Sequence, residues 1–309
     1  MGHRQLDSVL PSEIKQWVNA LRDSGLSHSR IRKSHLVLAM IFDHAVEDRH
    51  LDRSPVTRLR LRKDARLTKP MVALTIHQLP QVALAVRDSL VVGPGLSNRG
   101  YDMLVMLAAD TGLRSGELRA VRRGRCHLDS DTPFVEVVES ITDVWKEGVV
   151  SKDPKTHALR TVQLSPSVTV ALRSHIERGL PGPDSLVFTS PGGSPVHWSN
   201  FKNRVWYPAL DHVGIRRCKI YALRHTSASL LAAAGVPLHD VKVQLGHSSI
   251  TTTESYLHFY PQGLEDVAVG MSLSTYKRRD LFGSWCSSYF LSEQEESRRV
   301  SKSRIDIGT

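Results

Sequence analysis

The sequence predicts a mainly helical protein with a small β-sheet, divided into two domains. Three observations support this prediction. A chain of 309 residues has the length of about two domains. Apolar residues recur at helical spacing through most segments, whereas the alternation typical of strands is confined to residues 134–141 and 160–164. Hydrophobic residues make up 40% of the chain, which is enough for a sizeable core.

The first domain, residues 1–68, is expected to be entirely helical. Pro11 opens a first helix that ends near Gly25, and Ser27 or Ser29 can cap a second. Residues 58–69, RLRLRKDARLTK, form a basic linker. A run of charge is by default a solvated tether, but between two domains that both contact nucleic acid we expect it to run along phosphates.

The second domain, residues 69–270, is expected to combine helices with the strands. The predicted helices cover residues 74–89, 101–109, 165–178, 200–213, 226–234 and 238–245. Residues 151–158 are predicted as a hairpin-like connection between the two strands. Residues 271–309 have mixed polarity and no sustained period, which predicts a poorly ordered tail.

Charge indicates the kind of partner, and cysteine content indicates the compartment. The formal net charge of +10 favours a polyanion through electrostatic steering and counterion release. The three cysteines lie far apart without a CxxC pair, which is typical of a reducing compartment and predicts no structural zinc site. The chain starts without the layout of a secretory signal, and its apolar runs are too short for a bilayer. We therefore expect a cytoplasmic protein with no membrane partner.

Two arginines are candidates for binding a phosphate. Arg114 lies in TGLRSGEL and Arg224 in YALRHTS, each near the predicted start of a helix. A guanidinium fork matches the oxygens of a phosphate, and a helix N-terminus also favours an anion. Glu117, one turn after Arg114, could hold the Arg114 rotamer. For this segment alone, an ordinary surface Arg–Glu pair is the favoured interpretation.

Three other side chains could take part in phosphodiester chemistry. His247 follows Gly246 at a helix end, Tyr256 is a possible nucleophile, and Lys155 lies in the predicted hairpin turn. Each alone is more often a cap, a core residue or a solvated side chain. His225 adjoins Arg224, but neighbouring helical residues do not share a face, so a structural role is expected for it.

Taken together, these residues resemble the catalytic boxes of the tyrosine recombinases, the phage integrase family. TGLRSGEL resembles the box of the first arginine, Arg114, and PKT at 154–156 the hairpin that carries the catalytic lysine, Lys155. YALRHTSASLLAAAG resembles the HxxR box, with Arg224. LGHSSITTTESYLH resembles the last box, with His247 and the nucleophile Tyr256. The resemblance covers roughly residues 10–262, and the last two boxes are its most specific part.

The resemblance implies a fold, a reaction and partners. The fold is a two-domain clamp, a helical core-binding domain plus an α/β tyrosine-recombinase catalytic domain. The reaction is site-specific DNA recombination through a 3′-phosphotyrosine, without metal or other cofactor, for integration or excision of a phage, prophage or mobile element. The implied partners are double-stranded DNA, three further copies in a homotetramer on two duplexes joined by C-terminal exchange, and accessory DNA-bending proteins.

The sequence also departs from the family pattern. Tyr221 stands where the family usually has histidine; a phenol can donate to phosphate, and so assist, but it does not titrate near neutral pH. The first domain is expected to be shortened, without its first helix. Two alternatives stay open at this stage: a catalytically impaired DNA-binding remnant of a prophage integrase, and a type IB topoisomerase-like enzyme with the same covalent chemistry but no synapsis.

Overall fold

The computed structural model describes residues 4–56, 72–92, 100–144, 148–152, 159–179 and 182–256. The chain divides into two compact units, Met1–Pro70 and Met71–Thr309. The predicted basic linker at residues 58–69, the turn that contains Lys155 and the tail at residues 271–309 lie outside the described residues. Each unit is described by itself below.

The described part of the first unit, residues 4–56, contains two long helices, as predicted. Helix α1 is Pro11–Asp23 and helix α2 is His28–Glu47. The hydroxyl of Ser27 accepts a hydrogen bond from the backbone N–H three residues later, so Ser27 is the cap of α2. Apolar side chains on the facing stripes of the two helices, including Ile14 and Phe42, are buried in a small core.

The second unit is built around one buried helix. Its helices are α3 Gln78–Arg87, α4 Ser89–Val92, α5 Tyr101–Thr111, α6 Ser115–Arg119, α7 Pro166–Glu177, α8 Trp198–Phe201, α9 Tyr207–His212, α10 Ala222–Ala233, α11 Leu238–Leu245 and α12 Ile250–Glu254. Helix α5 is apolar on nearly every side and contacts α3, α7 and α10. A helix that is hydrophobic all round belongs in the centre of a core, and α5 therefore fixes where the chain leaves that core, at Gly112.

Within the described residues, five short antiparallel strands form two small sheets. They are β1 Cys126–His127, β2 Phe134–Val137, β3 Ser140–Val144, β4 Gly148–Lys152 and β5 Arg160–Gln163. One sheet has the order β1-β2-β5, with Val135 opposite Val162, and the other pairs β3 with β4. Both valines are fully buried. The predicted fold class, mainly helical with a small β content, is confirmed.

The strand prediction was wrong in two details. Residues 134–141 form two strands rather than one, because β2 pairs in the first sheet and β3 in the second, and residues 138–139 carry the chain between the sheets. The predicted connection at residues 151–158 also began too early. Ser151 and Lys152 still belong to β4, where they pair with Ile141 and Ser140.

Three predicted helices have different starting points. The helix predicted at residues 226–234 begins at Ala222, so Arg224 lies inside its first turn rather than before it. The helix predicted at residues 200–213 begins at Trp198 and passes through a π-helical turn at Lys202–Trp206. The helix predicted from residue 74 begins at Gln78, because Thr75 and Gln78 exchange backbone and side-chain hydrogen bonds that cap it.

Within the described ranges, none of the helices combines the length and the apolar character needed to cross a lipid bilayer.

Candidate active site

The site begins at the sharp turn that ends α5. Gly112 has φ +64°, a left-handed conformation that residues with a side chain adopt at a cost. Arg114 follows two residues after this turn and directly precedes α6. The carbonyl oxygen of Gly112 accepts a hydrogen bond of 2.6 Å from Nη1 of Arg224. The end of α5 and the start of α10 are therefore joined at this point.

Glu117 organises the cations of the site. Its carboxylate accepts hydrogen bonds from the backbone N–H of Arg114 at 2.8 Å and from Nη1 of Arg114 at 2.9 Å. It also accepts a two-pronged interaction from Arg160, at 2.9 Å from Nη1 and 2.7 Å from Nη2. The side chain of Glu117 is only 1% exposed. The interpretation of RSGEL as a surface Arg–Glu pair was therefore wrong.

The surroundings of Glu117 keep it ionised. Burial by itself would raise the pKa of this carboxyl group. The hydrogen bonds and charge of Arg160, together with those of Arg114, outweigh the burial and lower the pKa to about 2. Two arginines and one carboxylate leave a net positive charge, which suits an anionic ligand.

The loop after α11 is held against this cluster. Gly246 ends α11 with φ +67°. The guanidinium group of Arg160 lies over Gly246, where a Cβ atom would be 2.6 Å from Nε and 2.7 Å from Cζ. Nη2 of Arg114 donates a hydrogen bond to the carbonyl oxygen of Gly246. The two arginines thus fix the backbone immediately before His247.

Arg224 is a buried cation, and some of its hydrogen-bond donors have no acceptor among the described residues. The residue is 2% exposed, and only its Nη1 has a partner among the described residues. Nε and Nη2 are both buried without an acceptor in that part of the chain. Burial lowers the pKa of Arg224, and the positive charges of Arg114 and Arg160 lower it further. An anion with several acceptor oxygens would relieve both the charge and the missing hydrogen bonds.

His247 faces the same charges. Its Nδ1 is 2.9 Å from Oγ1 of Thr253, a buried residue of α12. Burial lowers the pKa of His247 to about 4, with further lowering by the charges of Arg224 and Arg114. The imidazole is therefore neutral near pH 7 and can donate one N–H to a bound anion.

Tyr256 lies just beyond α12, which begins after the capping residue Ser249. The residue is 3% exposed, and its hydroxyl group is hydrogen-bonded to Nδ1 of His225. Burial raises the pKa of Tyr256 to about 12, and nearby Tyr221 raises it as well. The ring of Tyr221 meets the ring of His225 edge to face at 4.9 Å, and Tyr221 itself is 44% exposed.

The structure thus brings most of the predicted site residues together. The set consists of Arg114, Glu117, Tyr221, Arg224, His247 and Tyr256. Lys155 lies outside the described residues. Two of the contacts at the site join residues more than a hundred positions apart, from Arg224 to Gly112 and from Arg114 to Gly246.

Two residues at the site were not anticipated. Arg160 has no role in the sequence analysis, where it is only the first residue of the alternating strand pattern RTVQL. His225 was assigned a structural role on the argument that it cannot share a face with Arg224. The two neighbouring side chains nevertheless meet at one site, because the long side chain of Arg224 extends to Gly112 while the ring of His225 reaches Tyr256. The position of His225 directly after Arg224 is the sequence signal that points to it.

Comparison with known proteins identifies the family. The sequence profile of the phage integrase family matches residues 78–262, more than half of the chain. The chain belongs to the phage integrase family. This confirms the resemblance to tyrosine recombinases that the order of the sequence boxes suggested.

Several members of the family with related sequences have been described. The chain is 24% identical over 286 residues to a XerC-like tyrosine recombinase of Caldanaerobacter subterraneus, covering 82% of this chain and 69% of that protein. It is 26% identical over 256 residues to the putative prophage phiRv2 integrase of Mycobacterium tuberculosis, covering 82% of this chain. The chain spans 64% of the length of that integrase. An integrase of Mycobacterium phage FRAT1 is 25% identical over 276 residues, 88% of this chain and 78% of the phage protein.

Solved structures share the fold. The Tn1549 transposon integrase in complex with a circular intermediate DNA superimposes with a TM-score of 0.65 at 23% identity, covering 86% of each chain. The XerH recombinase bound to its difH substrate gives a TM-score of 0.63 at 21% identity, covering 84% of this chain and 72% of XerH. The second unit therefore has the fold of a tyrosine recombinase catalytic domain.

Proposed function

We propose that this phage integrase family member is a site-specific DNA recombinase that cleaves and rejoins DNA through a 3′-phosphotyrosine on Tyr256. The observation that carries the proposal is that the buried side chain of Arg224 lacks some of its hydrogen-bond acceptors within the described residues. Its buried guanidinium has two donors without an acceptor in the described part of the chain, in a cluster with Arg114 and near the Tyr256 phenol. A phosphodiester group fits this requirement in charge and in acceptor number.

The proposed reaction uses these side chains in defined roles. Tyr256 attacks the phosphorus atom, and the bond from phosphorus to the 5′ oxygen breaks. The five-coordinate transition state carries extra negative charge on its non-bridging oxygens, which Arg114, Arg224 and His247 neutralise through preorganised donors. Glu117 holds Arg114 in place, and Tyr221 assists by donating to the phosphate. Because arginines supply the charge, the proposed reaction requires neither a metal ion nor ATP.

The leaving oxygen needs a proton, since an alkoxide leaves poorly. We assign this task to Lys155 from its place in the sequence, three residues after the end of β4. The 5′ hydroxyl of a second strand then attacks the phosphotyrosine and reverses the step. The energy of the phosphodiester bond is conserved through the exchange.

The proposed partner is double-stranded DNA at two recombination sites. The related proteins are named as phage and prophage integrases and as a transposon integrase, and several structures with this fold contain DNA. We propose that residues 1–68 form the core-binding domain, residues 69–270 the catalytic domain and residues 271–309 a tail. Four copies on two duplexes, linked through C-terminal exchange and assisted by DNA-bending proteins in the cytoplasm, form the proposed working assembly.

Trapping of a covalent intermediate tests the proposal. The substrate is a pool of duplexes with a randomised core and a nick in one strand, from which the short 5′-hydroxyl fragment diffuses away after cleavage. The wild-type protein is expected to form DNA adducts that resist denaturing detergent, also in the presence of EDTA. Tyr256→Phe is expected to retain DNA binding and to form no adduct, because only the nucleophilic oxygen is removed.

The same experiment separates the alternatives. Binding of the wild-type protein without any adduct would contradict the proposal and favour a catalytically impaired DNA-binding remnant. Adducts that lead to relaxed supercoiled plasmid without recombinant products would favour a type IB topoisomerase-like enzyme. Recombinant products between two copies of the trapped site support the recombinase.

A further inference from the structure

The hydroxyl group of Tyr256 is neither exposed nor free. It is buried with the residue at 3% exposure, and among the described residues its hydrogen-bond partner is Nδ1 of His225. The ring centroids of the two residues are 5.9 Å apart. A phenol that must become a nucleophile has to lose its proton, and an imidazole nitrogen in direct contact is the natural acceptor.

We propose that His225 is the general base for DNA cleavage, which accepts the phenolic proton of Tyr256 as the tyrosine attacks phosphorus. This inference rests on the proposed function and adds a catalytic residue to it. His225 is part of the reaction because its Nδ1 contacts the reacting oxygen itself. When Nε2 carries the ring proton, Nδ1 is free to accept from the phenol.

The environment of His225 keeps it in the form that can accept a proton. Burial lowers the pKa of His225, and the charge of Arg224, the preceding residue on α10, lowers it further. Tyr221 packs edge-on against the ring, and His247 interacts with it electrostatically from the loop after α11. His225 is therefore neutral near pH 7. Tyr256 needs such a base, because burial raises its pKa to about 12.

The other candidate bases are worse placed. Nδ1 of His247 is committed to Oγ1 of Thr253, and its environment of two arginines suits a donor to phosphate. Tyr221 is 44% exposed to solvent, and its contact in the site is with the His225 ring rather than with the hydroxyl of Tyr256. Within the described portion of the site, His225 is the one base that touches the nucleophile.

The proposed step balances in protons and electrons. The bond between the tyrosine oxygen and phosphorus forms while the phenolic proton moves to Nδ1 of His225. The bond from phosphorus to the 5′ oxygen breaks, and that oxygen takes a proton from Lys155. The imidazolium formed next to Arg224 is offset by the negative charge of the bound phosphate. In the rejoining step His225 returns its proton to the tyrosine oxygen as it leaves phosphorus.

Replacing the leaving oxygen by sulfur separates the base from the acid. The trapped duplex is prepared with an ordinary phosphodiester and with a 5′-bridging phosphorothiolate, whose thiolate leaves without a proton. We expect His225→Gln to slow adduct formation about 10²- to 10⁴-fold on both substrates, because Tyr256 must lose its phenolic proton with either one. Lys155→Ala is expected to slow only the ordinary substrate. His239→Gln, an exposed histidine of α11, is the matched control and should react like wild type.

Rescue distinguishes a chemical role from a structural one. Adding imidazole to His225→Ala is expected to restore adduct formation in proportion to the fraction of neutral imidazole. Rates of His225→Gln close to wild type, recovery of this variant on the phosphorothiolate, or no rescue of His225→Ala would each overturn the inference. An absence of adducts with the wild-type protein would instead contradict the proposed function.

Discussion

Glu117 shows how one buried carboxylate can determine the geometry of a cationic site. It binds Arg114 through both the backbone and the side chain, and it binds Arg160 through both oxygens. The residue types of the family boxes were readable from the sequence. The partnership with Arg160 was not, because Arg160 follows Glu117 by 43 positions and its strand carries no local mark of the contact. Non-local pairs of this kind depend on the tertiary fold.

Removing Arg160 tests the value of this pair. We expect Arg160→Ala to lower the free energy of unfolding by about 3 kcal/mol, the lower end of the usual cost of breaking a buried ion pair. The cost is at the lower end because the buried carboxylate of Glu117 loses one of its two cations and retains the other. Urea unfolding measures the change. Arg217→Ala, which removes an exposed pair with Asp211, is the control and should cost about 0 to 1 kcal/mol. Equal losses in the two variants would contradict the structural role of Arg160.

His247 links the electrostatics of the site to stability. The pKa of His247 in the folded state is about 4, below the ordinary value of 6.5. Between pH 4 and pH 6.5, the imidazole is therefore protonated in the unfolded chain and neutral in the folded chain. Stability should therefore fall as pH decreases from 6.5 to 4, by at most about 3 kcal/mol from this residue. Urea unfolding at both ends of the range should show a shallower pH dependence for His247→Gln. Identical pH dependence in the two proteins would show that His247 is not buried in this way.

At the scale of elements, helix caps were predictable and connections between elements were not. Ser27 and Ser165 accept hydrogen bonds from the backbone N–H groups that follow them, as short-range sequence patterns predict. The division of residues 134–141 into strands of two different sheets depends on distant partners, and so does the early start of α10. The early start is what places Arg224 inside the first helical turn.

The end of α11 is an element whose geometry the site depends on. Gly246→Ala adds a Cβ within 2.7 Å of the Arg160 guanidinium and also places a side chain at φ +67°. Gly214→Ala introduces the same strain at φ +74°, with no atom within 4 Å of the new Cβ. The left-handed conformation costs about 1 to 2 kcal/mol in both, and overpacking adds about 1 to 3 kcal/mol in Gly246→Ala alone. Thermal or urea unfolding compares the two, and equal destabilisation would contradict the close packing of Arg160.

At the scale of the molecule, the formal charge of +10, the family match and the shared fold all agree with the proposed action on DNA. Composition alone indicated only a polyanionic partner. The order of the boxes identified the family, because five separately weak signals occur in the expected sequence from Arg114 to Tyr256. The fold then explains why that order matters, since α5, α6, α10, α11 and α12 each contribute one part of a single site.

The most direct test is to locate the covalent bond to DNA. The trapped adduct is digested with trypsin and a nuclease, and the modified peptide is fragmented by mass spectrometry. The expected peptide covers residues 243–277, which also contain Tyr260 and Tyr276, so fragmentation must separate the three tyrosines. The account predicts a nucleotide joined through its 3′ phosphate to Tyr256. A nucleotide on another residue, or one joined through its 5′ phosphate, would contradict it.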